Sequence, residues 1–359
     1  MTTYQRLGGY IRPVDVRNRG LKVHLSQGIC NAKYFQNPKQ VADNPETHKV
    51  VRTGQFAYNR ATTRNGEKIS IALREGPDCT VSSAYQVFEV VDENLLNPKY
   101  LMMWFKRPEF DRLAIYYSHG SAHEFFEWEA MCDVMLPIPS IARQREIVSE
   151  YETLTNRIRL NNQMIQHLEA TAQALYRKTF VDNIDKENLP EGWRMGTLGE
   201  VATFKYGKLA EKHVRSTEFS YPVFSGYAVT GYTDEYTLKE PTIVIIARGD
   251  AGTGRICMSP KECFLSNLAI AIETKDVSIK DYLYYHLLDS DTMSLRSGSA
   301  QAQITINNIE PFEIMIPAKE VCMDFTQKVE TLYQAILIKK QEIEKLTELQ
   351  SLLLAKMGQ

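Results

Sequence analysis

Two runs of core-type residues, spaced alternately by four and three positions, narrow the possible folds more than any other feature of this chain. The first comprises Ile147, Tyr151, Leu154, Ile158, Asn161, Ile165, Leu168, Ala172 and Leu175. The second comprises Phe325, Val329, Leu332, Ile336, Lys339, Ile343, Leu346, Gln350 and Leu353. Corresponding members stand 178 positions apart throughout, from 147 and 325 to 175 and 353. A 3.5-residue repeat sustained over about four heptads predicts two helices, over 147–179 and 325–357, that pack on each other along a seam. Asn161 and Lys339 put a polar residue at the same step of both seams, and a single polar core residue commonly fixes register.

The duplication extends upstream of the helices. Leu136-Pro137-Ile138-Pro139 precedes the first and Ile314-Met315-Ile316-Pro317 the second, again 178 apart, as are Gly120-Ser121-Ala122 and Gly298-Ser299-Ala300. Further back the spacing loosens: Tyr100-Leu101 answers Tyr282-Leu283, Cys79 and Ser82 answer Cys263 and Ser266, and Leu7-Gly8 answers Leu198-Gly199. A period this long indicates domain duplication, since solenoid repeats run to tens of residues. The chain therefore reads as two α+β halves: a globular domain over 1–138, a helix over 139–183, a second domain over 184–316 and a closing helix over 317–359. Antiparallel pairing of the helices would make the repeat a pseudo-two-fold.

With 359 residues and 43% hydrophobic content, two domains and two helices fit the size of ordinary folding units. Six cysteines without a CxxC or paired Cys/His pattern predict reduced thiols, not a disulfide or zinc framework. Met1-Thr2-Thr3-Tyr4 does not open a signal peptide, and apolar runs such as Ile243 to Ala247 are too short to span a bilayer, so a soluble cytoplasmic protein without membrane contact is expected.

Net charge is only −2, which argues against an indiscriminate nucleic-acid binder, but its distribution is uneven. Residues 1–74 hold 13 Lys/Arg against 4 acids, a net of +9, whereas 75–138 hold 4 against 11, a net of −7. Segregation of this kind suggests a face for a polyanion, because phosphate neutralisation by Lys and Arg supplies most sequence-independent DNA affinity. β-formers cluster at Val50 to Asn59, Lys68 to Leu73 and Val81 to Val91, with Arg64-Asn65-Gly66 as a loop between the first two. Lys99 to Lys106 and Glu109 to Tyr116 read as a helix pair broken near Pro108.

After a polar linker comes Leu189-Pro190-Glu191-Gly192-Trp193, then Leu198-Gly199-Glu200-Val201 and Phe204-Lys205-Tyr206-Gly207-Lys208. This string resembles the opening of a target-recognition domain in the specificity subunit of type I restriction-modification systems. The resemblance covers the whole chain: two such domains, a helix after each, an Ile-Pro step before each helix, and Gln144-Arg145-Glu146-Ile147 at the first helix start. Val321-Cys322-Met323-Asp324-Phe325 departs from that pattern, lacking its Gln and Ile. The resemblance implies a subunit without catalytic activity that binds a bipartite asymmetric double-stranded DNA target, one half-site per domain. It also implies two methylase subunits and restriction/translocase subunits as partners, with S-adenosylmethionine, ATP and Mg on those partners and no cofactor on this chain. Geometry agrees: the 33 residues from 147 to 179 span roughly 50 Å as helix, enough to bridge one duplex turn of about 34–36 Å.

Catalytic motifs are missing. Asn37-Pro38-Lys39 and Asn97-Pro98-Lys99 are not the Asn/Asp-Pro-Pro-aromatic string of amino methylation, and Gly249 to Gly254 lacks the Lys and hydroxyl of a phosphate loop. No Pro-Asp precedes Glu273-Thr274-Lys275 in the manner of a nuclease, and His119 and His123, four apart, do not form an HExxH motif, so no metal site is expected. Because Arg and Lys read guanine, Asn and Gln read adenine, and other cations clamp phosphate, the candidate contacts are Lys33, Tyr34, Arg60, Arg64 and Lys68 in the first domain. In the second they are Lys205, Tyr206, Lys208, Arg248, Arg255, Gln301 and Gln303. The competing reading is a coiled-coil scaffold whose two domains bind proteins; binding that weakens steeply with salt separates the two.

Overall fold

The structure, a computed structural model, describes residues 4–38, 44–61, 68–118, 125–182, 184–209, 220–249, 252–297 and 303–358. The chain forms two compact units, one from residues 1–162 with 340–359 and the other from 163–339.

The first unit opens with β1 (Tyr4–Arg6) and β2 (Ile11–Val14), followed by β3 (Phe56–Asn59), β4 (Ile71–Leu73) and β5 (Tyr85–Val90). An antiparallel sheet runs in the order β2, β5, β3, β4, with Phe56 opposite both Phe88 and Leu73. Against one sheet face pack α1 (Pro98–Lys106) and α2 (Pro108–Ser118), burying Tyr100, Phe105 and Phe110 with Phe56 and Phe88. The Asn97 side chain accepts from the N–H groups of Lys99 and Tyr100, and Pro98 fills the first helical position. Arg107 is extended, as suits a residue before proline, so Pro108 starts the second helix instead of interrupting the first. β6 (Met135–Pro137) returns to pair with β1 and leads into α3 (Ile141–Phe180).

The second unit repeats this plan. β7 (Arg194–Thr197) and β8 (Ala202–Tyr206) are followed by the hairpin β9 (Tyr221–Phe224) and β10 (Val229–Thr233). Then come β11 (Ile243–Ile246), β12 (Ile256–Met258), β13 (Phe264–Leu265) and β14 (Ala269–Thr274). The main sheet has the order β8, β14, β11, β12, the same topology as β2, β5, β3, β4. α4 (Lys280–Asp289) stands where α1 does, and β15 (Glu313–Ile316) pairs with β7 before α5 (Lys319–Lys356).

Individual contacts recur at the offsets read from the sequence. The Leu7 N–H donates to the Val134 carbonyl at 2.8 Å and the Leu198 N–H to the Phe312 carbonyl at 2.9 Å. Tyr100 donates its hydroxyl to the Pro137 carbonyl at 3.0 Å, and Tyr282 does the same to Met315. A Cβ on Gly8 would lie 2.9 Å from the Cys132 side chain, and one on Gly199 2.7 Å from that of Glu310. Both glycines are therefore needed for close approach of the chain.

The long helices start earlier than the seam pattern indicates, at Ile141 and Lys319 instead of 147 and 325, because each begins directly after its Ile-Pro step. All of the seam positions named above are buried or half-buried. In the first unit the two helices meet antiparallel: Arg157 is bound to Glu342 at 2.6 Å, and Gln350 donates to Thr155 at 2.6 Å. Leu353, Leu354 and Met357 join Ile147, Val148 and Tyr151 in the core. In the second unit, Ala172, Tyr176 and Phe180 share a core with Cys322, Phe325 and Val329. Asn161 is 3% exposed and its Nδ2 has no hydrogen-bond partner. All six cysteines are free thiols.

Candidate nucleic-acid interface

The strand registers gather the candidate side chains of the second unit at one end of its main sheet. β8 and β11 both run antiparallel to β14, so the last residues of β8 and β11 lie beside the first of β14. Tyr206 stands opposite Ile270, and Ile246 opposite Ala269. Lys205, Tyr206 and Lys208 follow from β8, Arg248 from β11, and Arg255 precedes β12 at the same sheet end. Gln303 is brought there too, since the Ile304 N–H donates to the Ala247 carbonyl at 2.9 Å. All six of these side chains are exposed.

Lys205, Tyr206 and Lys208 line one cleft of about 380 Å³ together with Glu235, Tyr236 and Thr237. Gly207 makes this possible. Its N–H donates to the Ala269 carbonyl at 3.0 Å, and a Cβ there would run into the Ser266 carbonyl oxygen. Its neighbour Lys208 donates its N–H to Leu265 at 2.9 Å. Tyr206 is held by its hydroxyl, which accepts the Ile306 N–H at 3.1 Å, and Lys205 is paired with Glu273 at 2.7 Å. Sequence reasoning missed Glu235, Tyr236 and Thr237 because it searched for cations, and no periodicity places the Thr233-Asp234-Glu235-Tyr236 turn beside β8.

In the first unit the equivalent sheet end carries Arg60, just after β3, and Lys68, just before β4. Arg60 is half-exposed, lies over the Phe125 ring and pairs with Glu127 at 3.2 Å. Lys68 and Tyr34 are exposed. Arg64 and Gln301 lie outside the described residues, as do His119, His123 and the two Gly-Ser-Ala strings.

Lys33 departs from the expectation that it contacts DNA. Its backbone is left-handed, φ 66°, in a turn closed by its own N–H to the Cys30 carbonyl. The side chain is buried, bound to Asp111 at 2.8 Å and to the Phe105 carbonyl. Burial lowers its pKa, with the Asp111 hydrogen bond opposing. Lys33 ties its turn to the end of α1 and the start of α2 and lies outside the interface. The charge segregation of the first domain is also partly folded away. Arg6, Arg12, Lys33 and Arg60 of the basic segment close on Asp133, Glu89, Asp111 and Glu127 of the acidic one. Much of that sequence imbalance therefore serves tertiary pairing.

The fold and these surfaces define a class: a duplicated α+β chain, each half ending an antiparallel sheet in basic side chains. Residues 190–352 match the family described as the "Type I restriction modification DNA specificity domain". The chain is 20% identical to the type I restriction enzyme HindI specificity subunit of Haemophilus influenzae, over 92% of this chain and 91% of that protein. Its fold is similar to the crystal structure of a type I restriction-modification S subunit from M. genitalium, with TM-score 0.59 and 17% identity over 99% and 96% of the two chains. Over residues 190–352 and along its length the chain is thus similar to specificity subunits of type I restriction-modification systems, and it shares the fold of the solved S subunit. Among the described residues no helix is long and apolar enough to cross a membrane.

Proposed function

We propose that this chain is the sequence-reading subunit of a type I restriction-modification complex, that it binds a bipartite asymmetric duplex target, and that each of its domains reads one half-site. The observation that carries this reading is the recurrence, in both units, of one sheet topology whose same end presents basic side chains: Arg60 and Lys68 in one, Lys205, Lys208, Arg248 and Arg255 in the other. Two domains of one plan but different surface residues suit two unlike half-sites. The long helices then serve as the platform on which two methylase subunits and the restriction/translocase subunits assemble in the cytoplasm. On this reading catalysis belongs to those partners, which carry S-adenosylmethionine, ATP and Mg, while this chain supplies the address.

The test is the salt dependence of duplex binding by the full chain with its methylase. Six to ten phosphate contacts would lower affinity by about 10³–10⁵ between 50 and 200 mM salt. Affinity for DNA that is absent, or insensitive to salt, would favour the protein-binding scaffold instead.

A further inference from the structure

We propose that the cleft between Lys208 and Glu235 reads the major-groove edge of a G·C pair, making Glu235 a specificity-determining residue of the second domain. This rests on the reading of the chain as a DNA-recognition subunit and adds to it a named base pair. The argument starts from how the cleft is built. Leu265 of β13 holds both segments: it accepts the Lys208 N–H at 2.9 Å, and its own N–H donates to the Thr237 hydroxyl at 2.8 Å. The Thr237 N–H in turn donates to the Cys263 carbonyl at 3.0 Å. Both walls of the cleft therefore stand on one strand.

Their chemistry is complementary. One wall carries Lys208, a donor with no acceptor, and the other Glu235, an acceptor with no donor when ionised. Neither has a charged partner among the described residues, and although they line the same cleft they do not close on each other. Lys205 is engaged by Glu273, and the ring of Tyr236 is set edge-on against Tyr221 at 5.0 Å. The cleft is thus fixed in its walls and open in its two long polar side chains.

A donor wall facing an acceptor wall suits only some base-pair edges. Across the major groove a G·C pair presents N7 and O6 acceptors and then the cytosine N4 donor, so acceptors lie to one side and the donor to the other. An A·T pair puts its N6 donor between the N7 and O4 acceptors and adds the thymine methyl, so one acceptor or the methyl faces the carboxylate. Lys208 on guanine and Glu235 on cytosine N4 satisfies both walls at once.

The test is selection from a randomised duplex pool by the full chain with its methylase, comparing wild type with Glu235→Gln and Lys208→Met. Wild type should return a half-site with one fixed G·C pair. Each variant should lose preference at that pair by about tenfold or more, with other positions unchanged. Glu235→Gln, which can now also donate, should admit A·T there. Variants that keep the wild-type motif, or weaken all sequences evenly, would overturn this assignment while leaving the recognition function intact. Failure of wild type to select any motif would overturn both.

Discussion

Gly207 shows how much of the candidate interface depends on single residues. The Lys-Tyr-Gly-Lys string reads in sequence as a basic patch. In the structure its glycine is what lets the chain press against Ser266, so that Lys205, Tyr206 and Lys208 line one cleft. We expect Gly207→Ala to cost ~2 kcal/mol through overpacking, seen as a lower thermal midpoint, together with weaker DNA binding. An unchanged midpoint and unchanged affinity would show that the close approach is dispensable. His286 gives a second prediction at this scale. It is half-buried on α4, its Nδ1 shares a hydrogen bond of 3.0 Å with the Tyr176 hydroxyl, and desolvation there pushes its pKa down to about 4. In the unfolded chain the ring titrates near 6.5. Between those values the unfolded state binds the extra proton, so this contribution is complete above pH 6.5 and is lost as pH falls toward 4. It amounts to at most ~3 kcal/mol. Chemical denaturation at pH 7 and pH 4.5 should show a smaller loss in His286→Gln than in wild type; equal losses would rule His286 out as the cause.

At the scale of elements, the helices were legible because their burial repeats every 3.5 residues, and Ile147 to Leu175 and Phe325 to Leu353 carry that period in plain view. The sheets were only partly legible. β-formers marked Val50 to Asn59 and Lys68 to Leu73, but the order β2, β5, β3, β4 depends on pairings between distant strands of three to six residues. Such non-local pairings leave no local pattern. The same blindness misplaced Lys33, whose burial is decided by Asp111 on α2, and overstated the basic face of the first domain. The two helix starts differ in a way the sequence did announce. Gln144 is fully buried, accepts the Asn97 N–H at 2.8 Å and donates to the Leu95 and Pro139 carbonyls at 2.9 and 2.8 Å. The equivalent position, Cys322, is buried without such bonds, and there Lys319 pairs with Asp276 at 2.8 Å instead. Gln144→Ala should therefore destabilise the protein by ~1–3 kcal/mol, because it strands an N–H and two carbonyls. Cys322→Ala leaves no polar group unpaired and should cost only its lost packing. Unfolding of the two variants by denaturant compares them, and equal polar costs would contradict this account of the asymmetry.

At the scale of the whole molecule, duplication followed by divergence is the central feature. The parts that repeat are those that hold the fold: Leu7 and Leu198, Tyr100 and Tyr282, Gly8 and Gly199, each making the same contact in its own unit. The parts that differ are the side chains at the sheet ends. On the proposed function, a repeated frame with differing side chains at its sheet ends would let one chain read two different sequences. The measurement that tests this most directly is mapping of methylated sites in a host lacking its own systems, expressing this chain with its cognate methylase. The account predicts a single split motif of two unlike halves, and predicts that changes confined to Lys205, Lys208 and Glu235 alter only one half. A stable complex that leaves the genome unmethylated, or methylates it without a split motif, would contradict it.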